Sequence, residues 1–244
     1  MMSTHRVITR RKPGVRVGPK DFSFTSEMID VLSPNWSGPE YLREYRQRSW
    51  QMYKTLPMPT TKDEPWRRTD IHALDVGNFS IPHGKTMEKL PGPPKWLLKP
   101  LISNKHGGQM IIYPDHTEIS LEPTLVSKGV IFTDLATAEK QHVDKVANII
   151  GQVVKPDEGR FAAMAAALGK FGVFIYVPRG VQVEIPLHSV IWGPGEGLAY
   201  FSHIMVWLEP GSALTYVHEA ASPDGGTRQT LHSGIVEIHV SDNA

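Results

Sequence analysis

Hydrophobic and polar positions alternate most regularly in the last third of the chain. "VFIYVPRGVQVEIPLHSV", residues 173–190, joins two runs rich in β-branched residues through a Pro-Arg-Gly turn. Thirty-one residues later "IMVWLEPGSALTYVHEA" repeats the plan, with Gly211 where Gly180 stands, and a weaker third copy, "LHSGIVEIHV", follows. Aligning the two glycines matches Val177 with Leu208, Val183 with Leu214 and Ile185 with Tyr216. Apolar residues then alternate in the same phase in both copies, as one inward face of stacked strands requires. A helix-free repeat of about 30 residues fits one coil of a β-helix, each turn burying its core against the last. A jelly roll or another sandwich fits such strand spacing too. Gly at each hinge permits positive φ or a close backbone approach.

Upstream the period changes. Residues 36–55 set Trp36, Tyr41, Leu42, Tyr45, Ser49, Met52 and Tyr53 at spacings near three and four, with Pro39 close to the start and Pro57 after the end. This predicts an amphipathic helix whose aromatics pack in the core. From Leu56 to Pro100 the chain is rich in Pro and Gly, which disfavour helix and predict a connector. Short strands are expected from Gly108, and "LATAEKQHVDKVANIIGQ" with "EGRFAAMAAALGK" predicts helices within residues 135–170. The expected organisation is a basic mobile arm over 1–35, a helical region and connector over 36–100, and a mainly β core over 101–244. That core carries a helical insertion at about 135–170 and is expected to be incomplete at its C-terminal end.

A chain of 244 residues with 40% hydrophobic content is long and apolar enough to bury a core. Its net charge of +1 gives no reason to expect general attraction to nucleic acid or membrane. The exception is the start, where Arg6, Arg10, Arg11, Lys12, Arg16 and Lys20 precede the first acid, Asp21; a solvated arm is the simplest expectation. There is no Cys, so disulfides and thiolate metal sites are excluded within this chain. With neither a long apolar run nor an apolar stretch after Met1, a cytoplasmic location is expected.

Candidate chemistry is sparse. His188, His203, His218 and His232 recur at intervals of fifteen, fifteen and fourteen residues. In a coil of about 30, His188 would lie near His218 and His203 near His232. The glycine alignment instead pairs His188 with Glu219, and a slip of one residue turns a side chain to the other face. Gly197, His203 and Glu209 fit part of a cupin metal motif, but Met205 stands where that motif has its second His. Asp115, Glu118 and Glu122, and Asp157 with Glu158, are the acids a sugar-cleaving site could use, although nothing in the sequence sets them across a groove. No nucleophile elbow, phosphate loop or zinc-protease motif occurs. On these residues no catalytic, cofactor or metal site is assigned.

"PEYLREYRQRSWQMYKTLPMPTTKDEPWRRTDIHALD", followed by "FGVFIYVPRGVQVEIPLHSVIW", "AYFSHIMVWLEPGSALTYVHEAASP" and "LHSGIVEIHV", resembles the SufB/SufD family of iron–sulfur cluster assembly proteins, from about Trp36 to Ala244. "LPMP" and "DEPWRRTD" bring it closer to the SufD branch. The resemblance implies an N-terminal helical region, a right-handed parallel β-helix and a C-terminal helical domain. It also implies a non-enzymatic scaffold that pairs with a SufB-like subunit, docks a SufC-like ATPase and shares in building a transient cluster. By that comparison "VEIHVSDNA" ends within the β-helix, so later coils, the SufC-docking helices and the family's cluster residues have no counterpart here. The four histidines are then not the family's site, and Trp66, Arg67, Arg68, Gly180 and Gly211 are expected to be fold determinants. The alternative is a complete β-rich protein, sugar-processing or cupin-like and metal-binding.

Overall fold

The computed structural model describes residues 21–32, 38–82, 91–100, 105–193, 195–223 and 227–244. The basic run before Asp21 and Trp36 lie outside these residues. The strands are β1 (Gly108–Ile112), β2 (Thr117–Leu121), β3 (Ile131–Asp134), β4 (Phe171–Val177), β5 (Gln182–Trp192), β6 (Ala199–Leu208), β7 (Ala213–Ala221) and β8 (Leu231–Val240). The α-helices are α1 (Glu27–Leu32), α2 (Glu40–Thr55), α3 (Pro123–Ser127), α4 (Leu135–Gln141), α5 (Val143–Ile149) and α6 (Arg160–Leu168).

Among the described residues the strands form two four-stranded sheets, ordered β2-β1-β5-β7 and β3-β4-β6-β8. From β4 onward each strand crosses to the opposite sheet, and the strand after that returns parallel to its predecessor. At the other end, β1–β2 and β3–β4 pair antiparallel. Met110, Ile112, Val183, Leu187 and Ile191 of the first sheet share a core with Val173, Ile175, Val177, Ile204 and Val206 of the second. Leu125 of α3 and Val130 join this core near the antiparallel pairs.

The corners between the sheets also stack. Gly180 donates its N–H to the Pro210 carbonyl (3.0 Å), and Gly211 donates to that of Asp242 (3.0 Å). Both glycines have φ of +70°, and Asn243 has φ of +56° at the next corner. Asn tolerates this left-handed region better than most side chains, which explains how a third corner forms without glycine.

The helix expected over 36–55 runs from Glu40, with Pro39 before it, to Thr55. Its buried residues Leu42, Arg46, Ser49, Trp50 and Tyr53 form one stripe. Trp50 and Tyr53 pack with Ala163, Met164 and Ala167 of α6, and with Phe201 and Leu231 of the second sheet. Alanines let α6 approach both neighbours closely, so this short helix is buried nearly all round. Arg46 of α2 bonds Glu139 of α4 at 2.6 Å and the Gly169 carbonyl after α6 at 3.2 Å, joining three helical segments through a buried ion pair.

Candidate functional site

The four histidines lie on opposite faces of their sheets, and neither expected pair forms. An irregularity between Val183 and Leu187 moves the β5–β7 register, so Leu187, not Ile185, stands opposite Tyr216. Val177–Leu208 and Val183–Leu214 pair as the glycine alignment requires. After the shift, Ser189 faces His218 and His188 faces Val217, one residue out of step. The mismatch is larger in β6–β8, where Tyr200 faces His232 and His203 faces Ile235. An odd mismatch puts side chains on opposite faces.

His218 and His232 belong to the inner face. The Nδ1 of His218 lies 2.8 Å from the Ser189 hydroxyl, which also bonds the Tyr216 hydroxyl. The Nε2 of His232 lies 2.9 Å from the Ser202 hydroxyl. Burial, with repulsion from His232 and His188, pushes His218 down to about 4, and burial lowers His232 as well. Both imidazoles are therefore neutral near pH 7. The buried Tyr200 hydroxyl, which has no hydrogen-bond partner among the described residues, belongs to this polar region of the core. Tyr200 and His232 also line a cavity of about 180 Å³ together with Ile191, Gly193 and Thr230.

His188 and His203 belong to the outer faces. His188 is 1% exposed, and its Nε2 contacts Glu219 Oε2 at 2.8 Å, the partner anticipated by the glycine alignment. The β5 irregularity leaves these two residues diagonal neighbours. His203 bonds Glu237 of β8 at 2.7 Å. Glu237 is fully buried and also accepts the backbone N–H groups of Gly151 (2.8 Å), Val153 (2.8 Å) and Val154 (3.2 Å). One carboxylate thus fastens the segment after α5 to the last strand. Burial pushes this carboxyl up, but His203 and the backbone donors outweigh burial and hold it below its ordinary value.

The cupin-like set does not converge. His203 is committed to Glu237, Glu209 accepts the Arg179 N–H at 3.0 Å, and Gly197 donates to the Gln229 carbonyl at 2.8 Å. The other acids are local partners: Asp115 and Glu118 flank His116, Glu122 meets Lys105, and Glu158 accepts the Lys155 N–H. Trp66 stacks on Phe161 at 5.2 Å, while Arg67 and Arg68 are exposed.

The remaining feature is the pair of edges formed by β7 and β8. Among the described residues each has a neighbour on one side, β5 or β6. Val236, Ile238 and Val240 on β8 are 48%, 51% and 54% exposed, whereas Leu231, Ser233, Ile235 and Glu237 are buried. An apolar strip along a strand edge that has no partner among the described residues is a surface suited to β-pairing.

Sequence reasoning missed Gln109, Glu237 and Asn243. A lone acid in the alternating run "LHSGIVEIHV" was the available signal for Glu237, and "DN" at the next corner was the signal for Asn243.

Among known proteins, the model of the SufBD protein N-terminal region matches residues 35–188. The iron–sulfur cluster assembly protein SufD of Bacillus subtilis is 32% identical over 228 residues, covering 91% of this chain and 51% of the relative. SufB of the same organism is 25% identical over 235 residues, covering 88% of this chain and 48% of that protein. A SufBD family protein of Synechocystis is 25% identical over 233 residues, covering 90% and 48%. The chain spans about half the length of the curated relatives it matches. These matches give no support to the sugar-processing or cupin-like alternative. With more than half of its length matched by the family model and nine-tenths aligned with SufD, the chain belongs to the SufBD family.

Proposed function

We propose that this chain corresponds to the N-terminal region of a SufD-like scaffold subunit in SUF iron–sulfur cluster assembly. The observation that carries this reading is the alignment with SufD over nearly the whole chain at 32% identity, against 25% for SufB. In this reading the subunit pairs with a SufB-like protein, acts with a SufC-like ATPase and handles a transient cluster as cargo. It catalyses no reaction itself, and this region holds no resident cofactor. The absence of Cys supports the last point, because thiolates are the usual cluster ligands. A cytoplasmic setting suits this role; among the described residues no helix is long and apolar enough to cross a membrane.

The fold we assign is a right-handed parallel β-helix. Support comes from the alternation of successive strands between two sheets, the parallel neighbours and the stacked corners at Gly180, Gly211 and Asn243. Parallel crossovers are right-handed in nearly all known cases. Such a scaffold offers rigid strand edges for subunit pairing.

A chimera tests the function. In Bacillus subtilis depleted of SufD, the aligned region of the host protein is replaced by this chain, leaving the host's remaining half in place. The chimera is expected to co-purify with SufB and SufC and to restore iron–sulfur enzyme activity. A chimera that accumulates in folded form but restores neither property overturns the assignment.

A further inference from the structure

Residues 94–99 form a turn-rich strap across the outer face of the first sheet, over His188. Leu97 is buried against Val190 and Trp192, and the Trp192 indole N–H donates to the Pro91 carbonyl just before the strap (2.7 Å). The Leu98 carbonyl is the strap's polar anchor. It lies 2.9 Å from Gln109 Nε2 and 3.3 Å from His106 Nε2.

The same Gln109 nitrogen lies 3.1 Å from His188 Nδ1. An amide NH2 group can only donate, so Nδ1 must accept. On the other side of the ring, Nε2 lies 2.8 Å from Glu219 Oε2, and a carboxylate can only accept, so Nε2 carries the proton. The bonding pattern therefore fits a single state of His188, the neutral Nε2–H tautomer. In an imidazolium, Nδ1–H would point at the Gln109 donor. Gln109 could then satisfy the ring only by presenting its oxygen, which takes its NH2 group away from Leu98.

We propose that residues 94–99 are a strap held closed by neutral His188, and that protonating this imidazole releases the Leu98 anchor through Gln109. Among the described residues the groups around the ring are few. Glu219 of β7 faces Nε2, and His106, preceding β1, stacks on the ring at 4.7 Å. His218 of β7 interacts with it electrostatically, β1 contributes uncharged Gln109, and Lys95 and Lys99 of the strap are exposed. Burial holds His188 below its ordinary value of 6.5; Glu219 opposes this, and His106 adds to it. A histidine lowered by folding favours the closed form above its unfolded value and loses that contribution as pH falls toward its folded value.

Hydrogen exchange on the full chain tests the proposal, comparing strap amides with β4 amides from about pH 8 to about pH 5 after correction for intrinsic rates. Strap protection should fall below pH 6.5 by up to about tenfold per pH unit, the limit for one linked proton, while β4 is unchanged. His188→Gln can donate toward Glu219 and accept from Gln109 without titrating, so its strap should be insensitive to pH. A flat wild-type profile, or the same slope in the variant, overturns the proposal. Imidazole 15N shifts of the wild type give an independent reading near pH 7.5. The Nε2–H tautomer is expected, and either the Nδ1–H tautomer or an imidazolium refutes the mechanism even if the variant does not fold.

Discussion

Two glycines show how differently one residue type can be required. A Cβ built on Gly172 would lie 1.8 Å from the His203 carbonyl oxygen, so Gly172→Ala forces β4 away from β6. A Cβ at Gly180 meets nothing within 4 Å, and the constraint there is its φ of +70°. Gly180→Ala should therefore cost about 1–2 kcal/mol, the usual penalty for left-handed backbone. Gly172→Ala should cost about 3 kcal/mol or more, because backbone cannot give way as a flexible side chain can. Urea denaturation of both variants decides between these constraints, and equal losses would refute the distinction. Gly180→Asn should lose less than Gly180→Ala, since Asn243 already occupies the equivalent conformation two corners later.

At the scale of elements, Glu237 connects what the strands and helices would otherwise leave separate. Glu237→Gln keeps the shape but turns an NH2 group toward backbone donors, with an expected loss on the order of 3 kcal/mol. The native carboxyl is held below its ordinary 4.5, so its contribution is complete above that value and declines as pH falls toward the folded value. Unfolding midpoints should converge for wild type and Glu237→Gln as pH drops below 4.5; a constant gap would show that the carboxylate's charge is not what matters. The corners at Gly180 and Gly211 were legible in the sequence because few residues substitute for glycine at positive φ. The β5 irregularity was less visible, although Pro186 lies within it and cannot donate a ladder bond. That local break slides the ladder by two residues, which leaves His188 and His218 on opposite faces, as the glycine alignment already had them, and makes Glu219 a diagonal instead of a direct neighbour of His188. The tie between Glu237 and residues 151–154 was not legible, because it joins segments more than eighty residues apart through backbone donors common to any sequence.

Across the whole molecule the two ends of the sheets are unequal. Antiparallel pairs and α3 lie at one end, and the parallel edges β7 and β8 lie at the other. Folding covers Ile235 but leaves Val236, Ile238 and Val240 about half exposed, beside a line of backbone groups with no strand partner among the described residues. Apolar contact and open hydrogen-bonding capacity therefore coincide along one strand, a combination that soluble proteins usually blunt with charge. The chain by itself should self-associate through β8 at concentrations of tens of micromolar and above, about where weak edge pairing becomes populated. Ile238→Lys adds an ammonium to the strip without disturbing the buried residues, so it should shift the population toward monomer with little change in thermal midpoint. Lysine at exposed Ile119 on β2, which pairs with β1, controls for general solubility and should leave association unchanged. Light scattering coupled to size-exclusion chromatography reads both results. A wild-type chain that stays monomeric over that range, or equal relief by Ile238→Lys and Ile119→Lys, would mean that β8 is not an adhesive edge.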